Sequence, residues 1–287
     1  LSTSHRRTVA LSKRMELTEF LRSRRARLKP EDVGLRNLGG RRRVAGLRRE
    51  ELAQLAGISV DYYVRLEQGR TQNVSTEVLD AVSGVLRLDH HERNYLRNLA
   101  RPVLPRPGAG AGRDQVRPGV QRLVDMAETS PAYVVDRRLD VLAWNRHACA
   151  LFTDFARLPL VERNWARLIF LDDDMRALFA DWAGKARDTL AHLRVNAGNH
   201  PEDPEIARLV GELSAKSETF RRLWADHEVR ERSHGRKVLN HPLVGGLVLD
   251  FESLRMPDDP DQTLIIYTVE AGSPSEAALS LLGGSGA

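Results

Sequence analysis

Between Leu47 and Arg70 the chain reads LRREELAQLAGISVDYYVRLEQGR, two short helical periodicities separated by a single Ala-Gly step. Leu47, Leu52, Leu55 and Ala56 can share one buried stripe, and Ile58, Tyr63 and Leu66 a second. Gly57 stands where the first helix must stop and reverse, because glycine tolerates positive φ. Ser59 is a good N-cap for the helix that follows. Helices joined this tightly cross steeply, so the outer face of the second is left clear of the core. The segment predicts a helix-turn-helix.

The flanking sequence extends it into a small helical bundle. Glu16 to Leu28 is amphipathic through Leu17, Phe20, Leu21 and Leu28. Lys29 to Gly46, with Pro30, Gly34, Gly39, Gly40 and Arg41-Arg42-Arg43, reads as a long basic loop. Ser75 caps a helix running to Leu86, and Asp89 and Glu92 form a capping box for another through Leu99. Arg101 to Gly119 holds four prolines and four glycines and reads as a linker. The expected division is therefore residues 1–100 (core 15–100), a linker at 101–119, and a second domain at 120–287.

Charge follows the same boundary. Residues 1–113 carry 23 Lys+Arg against 12 Asp+Glu, a net of +11, whereas residues 114–287 carry 21 against 27, a net of −6. A basic segment of this kind suits a polyanion. The outer face of the second helix offers Val60, Asp61, Val64 and Arg65, with Tyr62 at its edge. Arginine can bind a guanine edge bidentately, and valine can meet a thymine methyl. Asp61 either accepts from cytosine N4 or rests against the positive end of its own helix. Duplex DNA is the expected partner, contacted by two subunits on two half-sites.

This segment resembles the helix-turn-helix of XRE-type bacterial and phage repressors, and its wording is especially similar to the MmyB-like regulators. The resemblance implies base reading at Val60, Asp61 and Arg65, from a helix that Ser59 caps. It implies phosphate contacts near Arg48, Arg49 and Arg70. It also implies that Glu67 pairs with an arginine of the first helix, with Arg25 or Arg24 as partner, to hold the reading helix in place.

The second half changes character. AYVVD and VLAWN flank the turn RRLD as a hairpin, helical periodicities follow to about Ala225, and three strand-like runs precede a last helix. The expected class is α+β: an all-α bundle followed by an antiparallel sheet with helices. The order resembles a PAS-type sensory fold. In MmyB-like regulators this implies binding of a fatty acid, with no other cofactor. A cavity for it can draw on Trp144, Phe152, Phe155, Trp165, Phe170, Trp182, Phe220 and Trp224, which serve equally as plain core. Candidate ligand residues are Trp144, Asn145, Arg163, Asn164, Trp224, His227 and His241, each of the polar ones equally a strand-end or helix-cap residue. The alternative is a domain that only dimerises or binds protein.

Several classes are excluded. A single cysteine, Cys149, rules out an internal disulfide or a cysteine-rich zinc site. It lies in the apolar stretch His147 to Phe152 and reads as a packing thiol, and His147, near it in sequence only, points elsewhere on a helix. No GxSxG, phosphate-binding glycine loop, HExxH or CxxC is present. Asp172-Asp173-Asp174 reads as a helix start. No apolar run approaches a bilayer's thickness, and the basic N-terminus lacks a signal-peptide core, so a non-enzymatic cytoplasmic protein is expected.

Overall fold

The structure is a computed structural model that describes residues 3–35, 46–71, 74–100, 115–201, 203–226 and 233–284, with side chains from 13 onward except at 91. The Arg41-Arg42-Arg43 run, His227 and residues 101–114 of the expected linker lie outside the described residues. The chain divides into two compact units. They are not contiguous in sequence: Arg194–Pro204 and Ala225–Arg230 group with Leu1–Pro105.

The first unit is helical. Its elements are α1 (Thr3–Arg27), α2 (Arg49–Leu55), α3 (Val60–Glu67), α4 (Thr76–Val85) and α5 (His90–Ala100). Helix α1 begins well before the expected Glu16. Leu17, Phe20, Leu21 and Arg24 follow at helical spacing, and all four are buried. Their face meets Leu52, Tyr63, Leu66, Val82 and Leu96 in one core, and Phe20 meets Tyr95 edge-on at 5.1 Å. Leu55, expected inside, is 38% exposed, and Ala53 is buried in its place. The buried face of α2 is centred between Leu52 and Ala53, and at 3.6 residues per turn Leu55 lies about 110° away.

Local signals set the boundaries. Gly57 adopts φ 67°, which lets its N–H reach Gln54 O at 3.2 Å and Ile58 N–H reach Ala53 O at 3.0 Å. Ser59 Oγ accepts from Tyr62 N at 3.2 Å, capping α3. Asp89 and Glu92 form the reciprocal box at the start of α5, at 3.1 and 2.9 Å.

The second unit starts with α6 (Pro118–Met126), so the end of the expected linker is already helical. Pro118 sits in the first turn, where no intrahelical N–H is needed. Then come β1 (Ala132–Val135), β2 (Val141–Trp144), α7 (Arg146–Leu151), α8 (Trp165–Leu171), α9 (Asp173–Leu178), α10 (Trp182–Asn199), α11 (Pro204–Lys216) and α12 (Glu218–Ala225). Three strands, β3 (His234–His241), β4 (Gly245–Arg255) and β5 (Thr263–Thr268), precede α13 (Pro274–Gly284). Asp172 caps α9 by accepting from Met175 N at 2.9 Å.

All five strands join one antiparallel sheet in the order β2-β1-β5-β4-β3. Tyr133 stands opposite Ile265, Ser253 opposite Ile265, and Phe251 opposite Tyr267. Because side chains alternate with period two, this register lines those residues up on one face. That face carries the chemistry described next. Among the described residues, no helix is long and apolar enough to cross a membrane.

Candidate functional site

Helix α3 is held by its last residue. Glu67 is fully buried and accepts from Arg25 through Nε at 3.1 Å and Nη2 at 3.3 Å. Arg49 adds Nε at 3.1 Å and Nη2 at 2.8 Å from the other side. Arg25 also donates Nη1 to Leu47 O at 2.6 Å, tying the segment before α2 to the same clamp. Burial alone would push the Glu67 carboxyl up, but hydrogen bonds from Arg49 and Arg25 outweigh it and hold the group below its ordinary value.

Two residues expected from sequence meet at this clamp or beside it. Arg25 is the partner of Glu67, while Arg24 turns to Glu92 at 2.7 Å and lies over the Phe20 ring. Arg49, expected at a phosphate, has its guanidinium on Glu67, brought there by the first turn of α2, and keeps about 33% of its side chain exposed. Arg48 and Arg70 are exposed. On the outer face of α3, Val60 is 38% exposed, Asp61 and Arg65 are exposed, and Tyr62 and Val64 are half-buried. Asp61 lies in the first turn, at the positive end of the helix. The result is an uncluttered helical face with one arginine, braced from behind by buried charge.

The second unit contains a cavity of about 70 Å³ between the sheet face and two helices. Tyr133, Phe251 and Tyr267 line it from the sheet and Trp165 from α8. Helix α10 contributes Lys185, Asp188, Thr189 and His192, a stripe at helical spacing. Tyr133 stacks on Trp165 with ring centroids 4.8 Å apart. Lys237 of β3 pairs with Asp188 at 2.6 Å. Lys185 is only 9% exposed, and its Nζ lies 4.9 Å from the Trp165 ring centre and 5.4 Å from that of Phe179. Burial first, and then the charge of Lys237, lower its pKa from 10.5 to about 7, with Asp188 opposing. The buried Thr189 Oγ1 and Trp165 Nε1 have no hydrogen-bond partner among the described residues.

The ligand residues expected from sequence are placed elsewhere, apart from His227, which is not described. Asn145 Oδ1 accepts from Ala132 N at 3.1 Å and Ala148 N at 2.9 Å. Its Nδ2 donates to Ala127 O at 2.9 Å and Ser130 O at 2.8 Å. Asn164 caps α8 through Arg167 N at 3.1 Å and donates to Arg138 O and Asp140 Oδ1, both at 2.8 Å. Arg163 lies over the Trp144 ring at 4.7 Å, and Trp224 stacks on Phe220 at 5.5 Å. His241 Nε2 meets Ala150 O at 3.1 Å, and its Nδ1 accepts from Leu243 N at 3.2 Å. None of these six lines the cavity, whereas Trp165, named from sequence as a possible lining ring, does. Asn145→Ala is expected to cost about 2–4 kcal/mol, because it uncaps α7 and strands several buried backbone groups. A urea unfolding midpoint measures it.

Lys185, Asp188, Thr189 and Lys237 were not legible as site residues. Ala186, Leu190 and Leu193 on the same helix are buried as well, so polar and apolar faces of α10 do not separate.

Residues 116–282 match the family described as the MmyB-like transcription regulator ligand binding domain, which covers more than half of the chain. The chain belongs to that family. Residues 16–96 match a helix-turn-helix domain, the segment that contains α2, α3 and the Glu67 clamp. No curated protein matches the chain. The MmyB-like chain is thus a transcription regulator with an N-terminal helix-turn-helix DNA-binding domain and a C-terminal ligand-binding domain.

Proposed function

We propose that this MmyB-like regulator acts in the cytoplasm as a homodimer, laying α3 of each subunit in the major groove of an operator half-site. Val60, Asp61 and Arg65 read bases there, Ser59 and Tyr62 sit at the helix start beside the backbone, and Arg48 and Arg70 meet phosphates. The observation that carries this is the exposed outer face of α3, clamped to the bundle by Glu67. Arg65→Ala is expected to weaken operator binding selectively, by about 1–3 kcal/mol. Binding measured on operator and on random duplex at one salt concentration decides it: equal losses on both would reject base reading by Arg65.

The second domain is read as a PAS-like sensor for a small apolar acid such as a fatty acid. The strand order β2-β1-β5-β4-β3, with helices between β2 and β3, supports the PAS-like part. The ring-lined cavity supports the ligand part. For the ligand to regulate, it must bind the DNA-competent and incompetent states unequally. Operator titrations with and without ligand should therefore differ. The reading includes no catalysis, and burial pushes the Cys149 thiol up, away from a thiolate nucleophile.

A further inference from the structure

With Lys185 protonated, the cavity against the sheet contains more positive charge than its own residues balance. Lys237 and Asp188 pair at 2.6 Å and cancel. Lys185, one helical turn before Thr189, is nine-tenths buried and makes no ion pair among the described residues; its ammonium is met by the faces of Trp165 and Phe179. Two further donors point to the same deficit: Thr189 Oγ1 and Trp165 Nε1 are both buried and unpartnered, and both residues line the cavity. Buried donors are normally satisfied, so a cluster of three marks a place where an acceptor belongs.

We propose that this cavity is the head-group subsite of the sensor domain, and that the Lys185 ammonium anchors a monocarboxylate there, with Thr189 Oγ1 and Trp165 Nε1 as neutral donors. The inference rests on the ligand-sensing reading above and names the residues that would carry it. One uncompensated positive charge calls for one negative charge. A carboxylate accepts up to about four hydrogen bonds through two oxygens, enough for the ammonium, the hydroxyl and the indole N–H. The volume of about 70 Å³ open to the centre of a water-sized sphere compares with the roughly 10–15 Å³ that one water needs on that measure, so a carboxylate head and the start of an apolar chain find room. The ligand's apolar body then continues against the rings of Tyr133, Phe251 and Tyr267.

The test compares octanoate with octanamide on the full-length protein by calorimetric titration, so that charge is the chief difference between the probes. Octanoate is expected to bind about ten- to a hundredfold more tightly than octanamide. Lys185→Met is expected to abolish that preference, and Thr189→Val to reduce it. Inorganic phosphate is expected to compete poorly, since a second negative charge has no partner. Equal affinity for acid and amide would overturn the ammonium anchor while leaving an apolar ligand in place. Binding of neither probe would overturn the carboxylate assignment. Specific operator binding, measured on the same preparation, reports separately on the regulator reading.

Discussion

Glu67→Ala is expected to lower the stability of the DNA-binding unit by about 3–5 kcal/mol, the scale for removing one partner from a buried ion pair. The carboxylate is fully buried and is met by Arg25 and Arg49 on two sides. Without it the Arg25 guanidinium, itself buried, keeps its charge and loses its counterion. The loss should appear as a lower urea midpoint and as weaker binding to every DNA sequence alike, because the clamp positions α3 without facing bases. Arg49→Ala should do the same on a smaller scale, about 1 kcal/mol, since its side chain is partly in solvent. Acid should reproduce part of the effect. The Glu67 carboxyl is held below its ordinary value, so its contribution is present at neutral pH and is lost as pH falls through the lowered folded value. A Glu67→Ala protein as stable as the parent, or one selective in the operators it loses, would refute the clamp.

What the sequence makes legible is what local chemistry decides. Gly57, Ser59, Ser75 and the Asp89–Glu92 box act within one helical turn of themselves, and each appears in the structure as its residue type predicts. Asn145 and Asn164 were equally caps or ligand contacts by sequence; the structure uses both as caps. Leu55 lies outside the core although the sequence stripe includes it, because the rotation of a seven-residue helix depends on what it docks against. The Arg49–Glu67 pair is hidden in the sequence for a related reason, since the guanidinium meets Glu67 only once two helices have crossed. The ends of the units are illegible for a broader one. Arg194 is wholly buried, pairs with Glu16 at 3.5 Å and groups with the first unit, yet it lies on a helix that begins in the second. No composition shift marks that division. The cavity falls in the same category: Lys185 becomes a site residue only when β3, α8 and α10 come together around it.

Lys185→Met should stabilise the unliganded protein, an unusual outcome for a substitution in a buried face. A base whose folded pKa is lowered carries its charge at a penalty in the fold. For Lys185 the shift from 10.5 to about 7 corresponds to a penalty on the order of 5 kcal/mol below neutral pH. Between those two values the unfolded chain holds more protons than the folded one, so the stability of the parent protein rises with pH across that window. Methionine has similar length and no charge, so the variant should lack this slope. It should exceed the parent most at about pH 6 and least near pH 10. Among the described residues, the other ionisable groups around the ammonium are Lys237 of β3, Asp188 and His192 of α10, and the phenols of Tyr133 and Tyr267; all five are common to both proteins, so their titrations largely cancel in the difference. Urea midpoints for the pair across pH 6 to 9 give the comparison, and a difference that stays constant with pH would remove Lys185 as its source. The same substitution should silence the octanoate response. One lysine would then be a burden on the empty domain and the means by which it recognises an acid, which is the pattern expected of a group retained for binding.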